Sequence, residues 1–381
     1  MNLADVTLEE LTVDPHAALA AARATGPITW LPALDGWVVT GRDAAVEVMR
    51  DTERFTVEDQ RFTTGQILGP SMLSTDGPAH ARYRAPFTSW FSDRTELLRL
   101  TDWMTERARS LVADLEPHGR ADLRSSMAAP LAAATVAYML RLDPPGADAL
   151  LQWYEEIVAG VHRLTAGLEV GESATHAHRD LSEAITAVSR SDPPALLVDA
   201  FRVLTTAEVV ANAAVILFGG IETAEGATAN AIWHLLTNPD ALTAVRIDRS
   251  LVSTAVEESL RLEPAAASID RYATTDAEFF GASIRAGDYV IVSLAGANRD
   301  PAVFADPDRF DLGRSNVRAH TTFAVGPHAC LGIRLARAQA IVGIEAVLDG
   351  FDRIRLGDDA AGPLGLVFRK PGCLDTTWIP R

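Results

Sequence analysis

One long, almost uninterrupted apolar stretch near the middle of the chain constrains the fold more than any other feature. Thr205 and Glu208 form a capping-box pattern at its start. The dipeptide Asn238-Pro239 follows its end, so a helix is predicted over residues 206–237. At 1.5 Å per residue such a helix is about 48 Å long. A helix this apolar around its circumference must be buried, so the chain has to fold a large core around it.

The rest of the pattern is also mainly helical. Helical periodicity dominates residues 42–260. Three shorter stretches have β-type patterns: residues 27–41, which predict a hairpin around Leu34-Asp35-Gly36, residues 276–295 with a Gly-rich turn, and the tail from residue 362. The predicted fold class is mainly α with a minor β-sheet region.

Composition, net charge and cysteine count limit the classes of protein to which this chain can belong. The 381-residue chain has no Gly/Ser-rich linker and no fixed-period repeat, so a single domain over residues 1–381 is expected. A net charge of -17 argues against a nucleic-acid partner, because phosphates require a basic surface. The N-terminus has acids where a signal peptide needs basic and then apolar residues, and the apolar run 209–221 is shorter than the roughly 20 residues that cross a bilayer. With only Cys330 and Cys373 available for disulfides, we expect a cytoplasmic protein with no membrane contact, in which Cys373 is a packed thiol.

Residues 323–332, FAVGPHACLG, place one cysteine in a glycine-rich loop before a predicted amphipathic helix. Backbone N–H groups and the positive end of that helix would stabilise a thiolate at Cys330. Gly326 and Gly332 allow backbone to approach closely on both sides. A metal-bound thiolate is one interpretation of this loop. The alternative is a small packed side chain, because His-x-Cys alone is a poor metal signature.

The predicted long helix contains the run Phe218-Gly219-Gly220-Ile221-Glu222-Thr223. Each glycine inside a helix costs about 1 kcal/mol relative to alanine, so something should compensate. A flat ligand pressed against the helix would do so, with Glu222 and Thr223 beside it as an acid and alcohol pair. A close helix crossing at the glycines, with Glu222 in an ion pair, is the alternative.

Two further patterns place charged residues at helical spacing. Glu258 and Arg261 are three residues apart and can pair on one helix face. His80 and Arg84 are four residues apart and would also share a face. In isolation, both patterns are also typical of solvated surface helices.

Taken together, these motifs resemble those of the cytochrome P450 family, in particular its soluble bacterial, class I type members. The residues that carry the resemblance are Phe323, Gly326, His328, Cys330 and Gly332 in the cysteine loop, Gly219, Gly220, Glu222 and Thr223 in the long helix, and Glu258 and Arg261 in a later helix. The resemblance extends from about residue 76 to residue 345. Ala324 and Gln339 stand where glycine and glutamate are frequent in relatives.

The resemblance implies the cytochrome P450 fold, a triangular helical prism around a buried heme b with Cys330 as the thiolate ligand of the iron. It implies that Glu222 and Thr223 are catalytic and deliver protons during oxygen activation. It also implies that Glu258 and Arg261 form a buried structural network behind the cysteine loop. The implied cofactor-binding residues are His80, Arg84, Gly219, Gly220, Arg271, Phe323, Gly326, His328, Cys330 and Gly332, of which His80, Arg84, Arg271 and His328 would contact the heme propionates.

The implied activity is that of a heme-thiolate monooxygenase that uses O₂ to hydroxylate or epoxidise a small, largely apolar organic molecule in secondary metabolism. The sequence has no flavin or nicotinamide fingerprint, so ferredoxin and ferredoxin reductase are the expected electron donors. Arg334 and Arg337, on the polar face of the helix after Cys330, are candidates to contact the ferredoxin.

For the substrate, the resemblance implies a mostly apolar pocket formed by residues 61–75, Ala214, Leu217, Phe218, Ala266, Ala267, Ile269, Leu366 and Val367. Small side chains at residues 265–267 predict room for a broad, rigid molecule such as a polyketide, terpene or aromatic compound.

Two other activities fit the same motifs. One is a P450-type enzyme that uses hydrogen peroxide or couples radicals. Glu222 and Thr223 argue against a dedicated peroxide user, because peroxide already brings the protons and electrons that this pair would manage. The other is a non-catalytic heme binder or gas sensor, which would not need Thr223 for its output.

Overall fold

Helices dominate the computed structural model, which describes residues 1–142, 145–165, 167–191 and 195–381. The α-helices of the described residues, numbered in chain order, are α1 (Leu8–Val13), α2 (His16–Thr25), α3 (Arg42–Arg50), α4 (Thr63–Leu68), α5 (Gly77–Ser92), α6 (Arg94–Leu115), α7 (Ala129–Leu140), α8 (Ala147–Thr165), α9 (Glu172–Ser191), α10 (Ala195–Val203), α11 (Thr206–Thr237), α12 (Pro239–Ile247), α13 (Val252–Leu262), α14 (Leu294–Ala297) and α15 (Ile333–Gly350).

The strands are short and form small sheets. They are β1 (Ile28–Leu31), β2 (Gly36–Val39), β3 (Phe55–Thr56), β4 (Arg120–Asp122), β5 (Ser268–Ala273), β6 (Ala277–Phe279), β7 (Ala282–Ile284), β8 (Tyr289–Ser293), β9 (Asp352–Leu356), β10 (Ala361–Leu364), β11 (Lys370–Cys373) and β12 (Asp375–Ile379). The largest sheet has the order β1-β2-β8-β5-β3, in which β2 and β8 are parallel and the other pairs are antiparallel. A three-stranded sheet has the order β4-β12-β9, and β6-β7 and β10-β11 form two hairpins. The predicted fold class, mainly α with minor β, is confirmed.

The long helix predicted over residues 206–237 is confirmed as α11. Its start is capped as the sequence indicates: Glu208 Oε2 accepts the N–H of Thr205 at 2.8 Å, and the N–H of Glu208 donates to Thr205 Oγ1 at 3.3 Å. In the described part of the chain α11 alone is long and apolar enough to span a membrane, but 67% of its most apolar window is buried. That burial is typical of a core helix.

The smaller sequence predictions are confirmed in part. The hairpin over residues 27–41 forms from β1 and β2, with Asp35 in a left-handed conformation (φ 45°) at the turn. The strand region 276–295 is interrupted at its end by α14, because Ser293 Oγ accepts the N–H of Gly296 at 3.0 Å and caps a helix there. The sequence patterns did not predict β3, β4, β5 or β9.

Contacts along the chain define two compact units. The first comprises residues 1–56, 108–128 and 223–381, and it contains all the described strands. The second comprises residues 57–107 and 129–222, and its described elements are helical. The single domain expected over residues 1–381 stays a prediction.

In the first unit, a hydrophobic cluster packs α3 against the five-stranded sheet. Met49, Phe55 and Val292 are fully buried in this cluster. Ala324 and Val325, from the loop that contains Cys330, pack against its edge. The cluster therefore supports the start of the cysteine loop.

The backbone of this loop includes two residues in the left-handed region. Ala324 has φ 54° and Gly326 has φ 78°. A Cβ added to Gly326 would lie 2.8 Å from the carbonyl oxygen of Met49 and 3.1 Å from Cα of Arg50, so glycine is required there for space as well as for conformation. Ala324 has a Cβ, so the left-handed conformation is sterically unfavourable at this residue.

We predict that Ala324→Gly stabilises the protein, because glycine removes the strain of about 1 kcal/mol that a Cβ adds in the left-handed region. Part of that gain is lost through the greater freedom of glycine in the unfolded chain, so the expected increase in the free energy of unfolding is up to about 1 kcal/mol. Thermal unfolding of the holoprotein measures this change.

Ala329→Gly in the same loop is the matched control, because Ala329 is not among the residues with positive φ. The control should lower the unfolding midpoint by the usual entropic cost of a glycine. A midpoint lowered equally by both substitutions would contradict the prediction.

Candidate functional site

Cys330 lies on the exposed surface of its loop, and only Leu331 and Gly332 separate it from the first residue of α15. Its backbone N–H donates to the carbonyl oxygen of Phe323 at 2.9 Å, which closes the loop. Cysteine is among the most buried residue types, so an exposed cysteine held in an ordered loop is unusual. A ligand can therefore reach the Cys330 sulfur.

The donor set of the chain fits a heme. Among the residues that the structure describes, no group of three or more His, Cys, Asp or Glu side chains could hold a metal ion. A single thiolate from the protein is sufficient when a porphyrin supplies the other ligands of the metal, as in heme-thiolate proteins. An exposed lone Cys330 is compatible with such a site.

The two glycines of α11 have different surroundings. A Cβ on Gly220 would lie 2.8 Å from Cγ2 of Val136 on α7, so a close helix crossing does exist at this residue. Gly219 is exposed, and within the described part of the chain a Cβ there would meet no atom within 4 Å. The close helix crossing, one of the two interpretations offered by the sequence, is therefore confirmed at Gly220, and a flat ligand against the face at Gly219 stays a prediction.

Thr223 lies one helical turn after Gly219 on the same stripe and is half-buried. Val215, one turn before Gly219, is also half-buried. The neighbouring carboxyl group of Glu222 is buried, with 7% of the residue exposed. Sequence analysis missed Val215, although its spacing of four residues from Gly219 was available as a signal.

Glu258 and Arg261 on α13 form the predicted ion pair. Arg261 donates from Nε and Nη2 to the two carboxylate oxygens of Glu258, each at 2.8 Å. Neither side chain is exposed to solvent. Burial lowers the pKa of Arg261, and the hydrogen bonds to Glu258 oppose that effect. A third member, Arg314, donates from Nε to Glu258 at 2.9 Å.

This network reaches the cysteine loop through Asn298. Arg261 Nη1 donates to the carbonyl oxygen of Asn298 at 3.0 Å. The Asn298 side chain accepts the N–H of Thr321 at 2.7 Å and donates to Thr322 Oγ1 at 2.8 Å. Thr321 and Thr322 directly precede Phe323, so the network fixes the segment that leads into the loop.

The candidate propionate ligands belong to both units. In the first unit, Arg271 on β5 is buried and donates from Nη1 to the carbonyl oxygen of Asp270 at 2.7 Å, and His328 is half-buried in the cysteine loop. In the second unit, His80 and Arg84 lie one turn apart on α5, and His80 is buried. Their contacts with heme propionates stay predictions.

The two arginines proposed to contact a ferredoxin differ. Arg334 is exposed. Arg337 donates to the buried carboxylate of Glu257, with Nη2 at 3.0 Å, and its guanidinium carbon lies 4.6 Å from the ring centroid of Phe323. The prediction that Arg337 is available to a partner is therefore wrong, because its charge is already paired inside the protein.

The predicted pocket residues of the first unit lie on two paired segments. Ala267 donates its N–H to the carbonyl oxygen of Val367 at 2.7 Å, and Ala266 forms a β-bridge with Phe368. Ala267 is buried in a hydrophobic cluster with residues of α1, α2, β1 and β2, and Leu366 packs against that cluster. These contacts argue against pocket roles for Ala267 and Leu366.

The roles of the other pocket candidates stay predictions, and Ile269 packs against the hydrophobic cluster that contains Met49 and Val292. Ala266 and Ile269 are half-buried, and Val367 is 37% exposed. In the second unit, Ala214 and Leu217 are buried on α11.

Phe218 of α11 packs against Tyr154 of α8, with ring centroids 6.0 Å apart. The Tyr154 hydroxyl is buried and has no hydrogen-bond partner among the residues that the structure describes. Sequence analysis missed Tyr154, because no local motif marks it.

The fold agrees with comparisons to known proteins. The cytochrome P450 family model matches residues 197–358. Cytochrome P450 monooxygenase PikC of Streptomyces venezuelae is 33% identical over 368 residues, covering 90% of this chain and 85% of that protein. The 20-oxo-5-O-mycaminosyltylactone 23-monooxygenase of Streptomyces fradiae is 31% identical over 364 residues, covering 91% of this chain and 85% of that protein.

A solved structure gives the same result. P450BioI, in complex with acyl carrier protein ligated to hexadec-9Z-enoic acid, is 26% identical, covers 97% of this chain and 100% of its own, and superposes with a TM-score of 0.88. The relatives are named monooxygenases, which are oxidoreductases that incorporate oxygen. The chain therefore belongs to the cytochrome P450 family and is a monooxygenase of the bacterial type with a heme b cofactor.

Proposed function

We propose that this enzyme uses Cys330 as the thiolate ligand of its heme, and Glu222 and Thr223 as its proton-delivery residues, to hydroxylate or epoxidise a bulky, largely apolar organic molecule. The observation that carries the proposal is the open stripe of α11. Gly219 is exposed in a helix that is otherwise largely buried, and Thr223 follows one turn later on the same face.

The bound heme supplies oxygen activation, and a thiolate ligand favours cleavage of the O–O bond. Thr223 holds a proton at its hydroxyl oxygen on the open stripe, where it can be passed to an oxygen atom of the reacting group. Glu222 is the adjacent carboxyl group and resupplies that proton. Because Glu222 is largely withdrawn from bulk water, the supply can be directed through Thr223.

The role of the cysteine loop is to hold the thiolate ligand in place. Its hydrogen bond between Cys330 and Phe323, and the support from Asn298, keep the sulfur in one position. Fixed ligand geometry maintains the electron donation that the chemistry requires. Arg271 in the first unit, and His80 and Arg84 in the second, are proposed to neutralise the propionates.

A ring-containing substrate from secondary metabolism fits the pocket candidates best. In the second unit, Gly219 has no side chain on an exposed part of α11, and the neighbouring Val215 is half-buried. The Streptomyces fradiae relative acts, by its name, on a glycosylated lactone, which is bulky and carries rings. The P450BioI structure holds a fatty acyl chain instead, so linear substrates are the competing class.

Electron delivery by a ferredoxin and its reductase, in the cytoplasm, is part of the proposal. Arg334 is exposed near the start of α15, and only three residues separate it from Cys330 in the chain. A cation there can attract an acidic carrier despite the negative net charge of the chain. Arg337 does not share this role, because Glu257 neutralises it.

We predict that reduction with dithionite followed by carbon monoxide gives a strongly red-shifted Soret band in the wild type, and that Cys330→His loses it. The reason is that only thiolate ligation donates enough electron density to the iron. Absorption spectra of the two purified proteins make the comparison, and Cys373→Ser serves as the control that removes the other cysteine. A red-shifted band that survives Cys330→His would show that another residue binds the iron.

We predict that Thr223→Val lowers the yield of oxidised product per O₂ consumed by at least about tenfold, within the range that general acid catalysis usually contributes. Oxygen uptake should continue and hydrogen peroxide should accumulate, because protons reach the reacting oxygen without the directing hydroxyl. The substrate for the assay is a ring compound that gives a spectral shift with the wild type.

Thr228→Val is the matched control on the same helix. The Thr228 hydroxyl is buried and donates to the carbonyl oxygen of Ala224 at 2.8 Å, so its loss should leave the product yield unchanged. Equal yields for wild type and Thr223→Val would contradict the proton-delivery role. Turnover with peroxide but none with O₂ and a reductase would favour the peroxide-using alternative.

We predict that Arg334→Glu slows reduction of the heme by a reduced ferredoxin about tenfold at low salt, and that the difference shrinks as salt screens the charges. Stopped-flow absorption measures the rate. Arg355→Glu is the control with the same charge change: Arg355 is exposed on β9, which follows the far end of α15, about 27 Å along the helix from its start. Equal slowing by both variants would indicate an effect of net charge only.

A further inference from the structure

Two adjacent glutamates of α13, Glu257 and Glu258, are both buried but contact different parts of the chain. The partners of Glu258 are Arg261 and Arg314. Glu257 contacts His320 and Arg337 instead. Successive residues on a helix point about 100° apart, so the two carboxylates serve separate surfaces of α13.

The contacts of Glu257 are close and charge-assisted. Arg337 donates to it from Nε and from Nη2, the latter at 3.0 Å, so the pairing is bidentate. His320 Nε2 lies 3.0 Å from Oε2 of Glu257, the oxygen that also accepts from Arg337 Nη2. Burial alone would raise the pKa of Glu257, but the hydrogen bonds from His320 and Arg337 lower it to about 2. The carboxylate is therefore charged at neutral pH.

Both partners of Glu257 also contact Phe323, the first residue of the cysteine loop. The Arg337 guanidinium carbon lies 4.6 Å from the ring centroid of Phe323, a cation–π distance. The His320 ring centroid lies 6.0 Å from the same ring. The carbonyl oxygen of Phe323 accepts the N–H of Cys330.

We propose that Glu257 is a positioning residue for the thiolate ligand, because its buried carboxylate holds Arg337 and His320 against the Phe323 ring and so fixes the carbonyl group bonded to the Cys330 amide. The inference rests on the proposed assignment of Cys330 as the heme ligand. It is separate from the structural role of Glu258, which pairs with Arg261 and Arg314, whereas Glu257 pairs with His320 and Arg337.

The physical consequence concerns the electron density on sulfur. Groups around a ligand set its orientation and basicity, and movement of the loop changes the donation from the thiolate to the metal. The reduction potential of a heme depends on such interactions around its axial ligand. A purely structural residue far from the loop would change stability without changing this potential.

The test uses Glu257→Gln in the heme-loaded protein. We expect the ratio of reduced to oxidised heme, measured at a fixed applied potential, to change at least threefold. We also expect the amide hydrogens of the cysteine loop to exchange at least tenfold faster. The first quantity is measured by spectroelectrochemical titration and the second by hydrogen exchange with mass spectrometry. Glu345→Gln, an exposed residue of α15, is the control with the same change in charge.

Arg337→Lys provides a second variant if Glu257→Gln does not retain heme. It keeps the positive charge but removes the planar guanidinium that lies over Phe323 and binds both carboxylate oxygens. We expect it to change the potential and the exchange rates in the same direction as Glu257→Gln. A folded variant with a wild-type potential and wild-type exchange rates would overturn the inference.

The experiments distinguish a failure of the Cys330 assignment from a failure of the positioning role of Glu257. If the wild type itself lacks the red-shifted band with carbon monoxide, the assignment of Cys330 fails and the inference fails with it. If the wild type shows the band and both variants leave the potential and the exchange rates unchanged, the positioning role alone is overturned.

Discussion

The buried ion network of Glu258, Arg261 and Arg314 is the interaction on which the part of the chain around the cysteine loop depends. The first two side chains are completely withdrawn from solvent. A buried charge is strongly destabilising unless charges and hydrogen bonds compensate it, so the surrounding backbone must supply partners. Arg261 donates to the carbonyl groups of Asn298, Pro307 and Arg309. Charged side chains thus fix the segment that contains these three carbonyl groups, which has little regular secondary structure.

The cysteine loop combines this support with local strain. Ala324 adopts a left-handed conformation that alanine disfavours, and Gly326 can approach the end of α3 only because it has no Cβ. Such conformations persist when the surrounding structure determines them from several sides. Here the hydrophobic cluster below the loop and the contacts of Phe323 provide that constraint. The result is an exposed Cys330 whose backbone is nevertheless held firmly.

Helix α11 is both the core helix of the protein and part of the proposed site. As the core helix, it must be apolar and closely packed, and Gly220 permits the close approach of Val136 on α7. As part of the proposed site, it must leave one stripe open, and Gly219 and Thr223 do so. A buried carboxyl group such as that of Glu222 is costly unless it is paired or used, and the proposed function assigns it a use.

Features that depend only on residues close together in the chain could be predicted from the sequence. The capping pattern at Thr205 and the apolar period gave the bounds of α11, and the contiguous motif around Cys330 gave the cofactor and the family. Tertiary structure decided which side chains meet across long separations. Arg337 pairs with Glu257, 80 residues away, and so is not available to a redox partner. Ala267 packs into a core cluster with residues that are distant in the sequence. Local spacing shows which residues share a face, but only the packed chain determines what that face contacts.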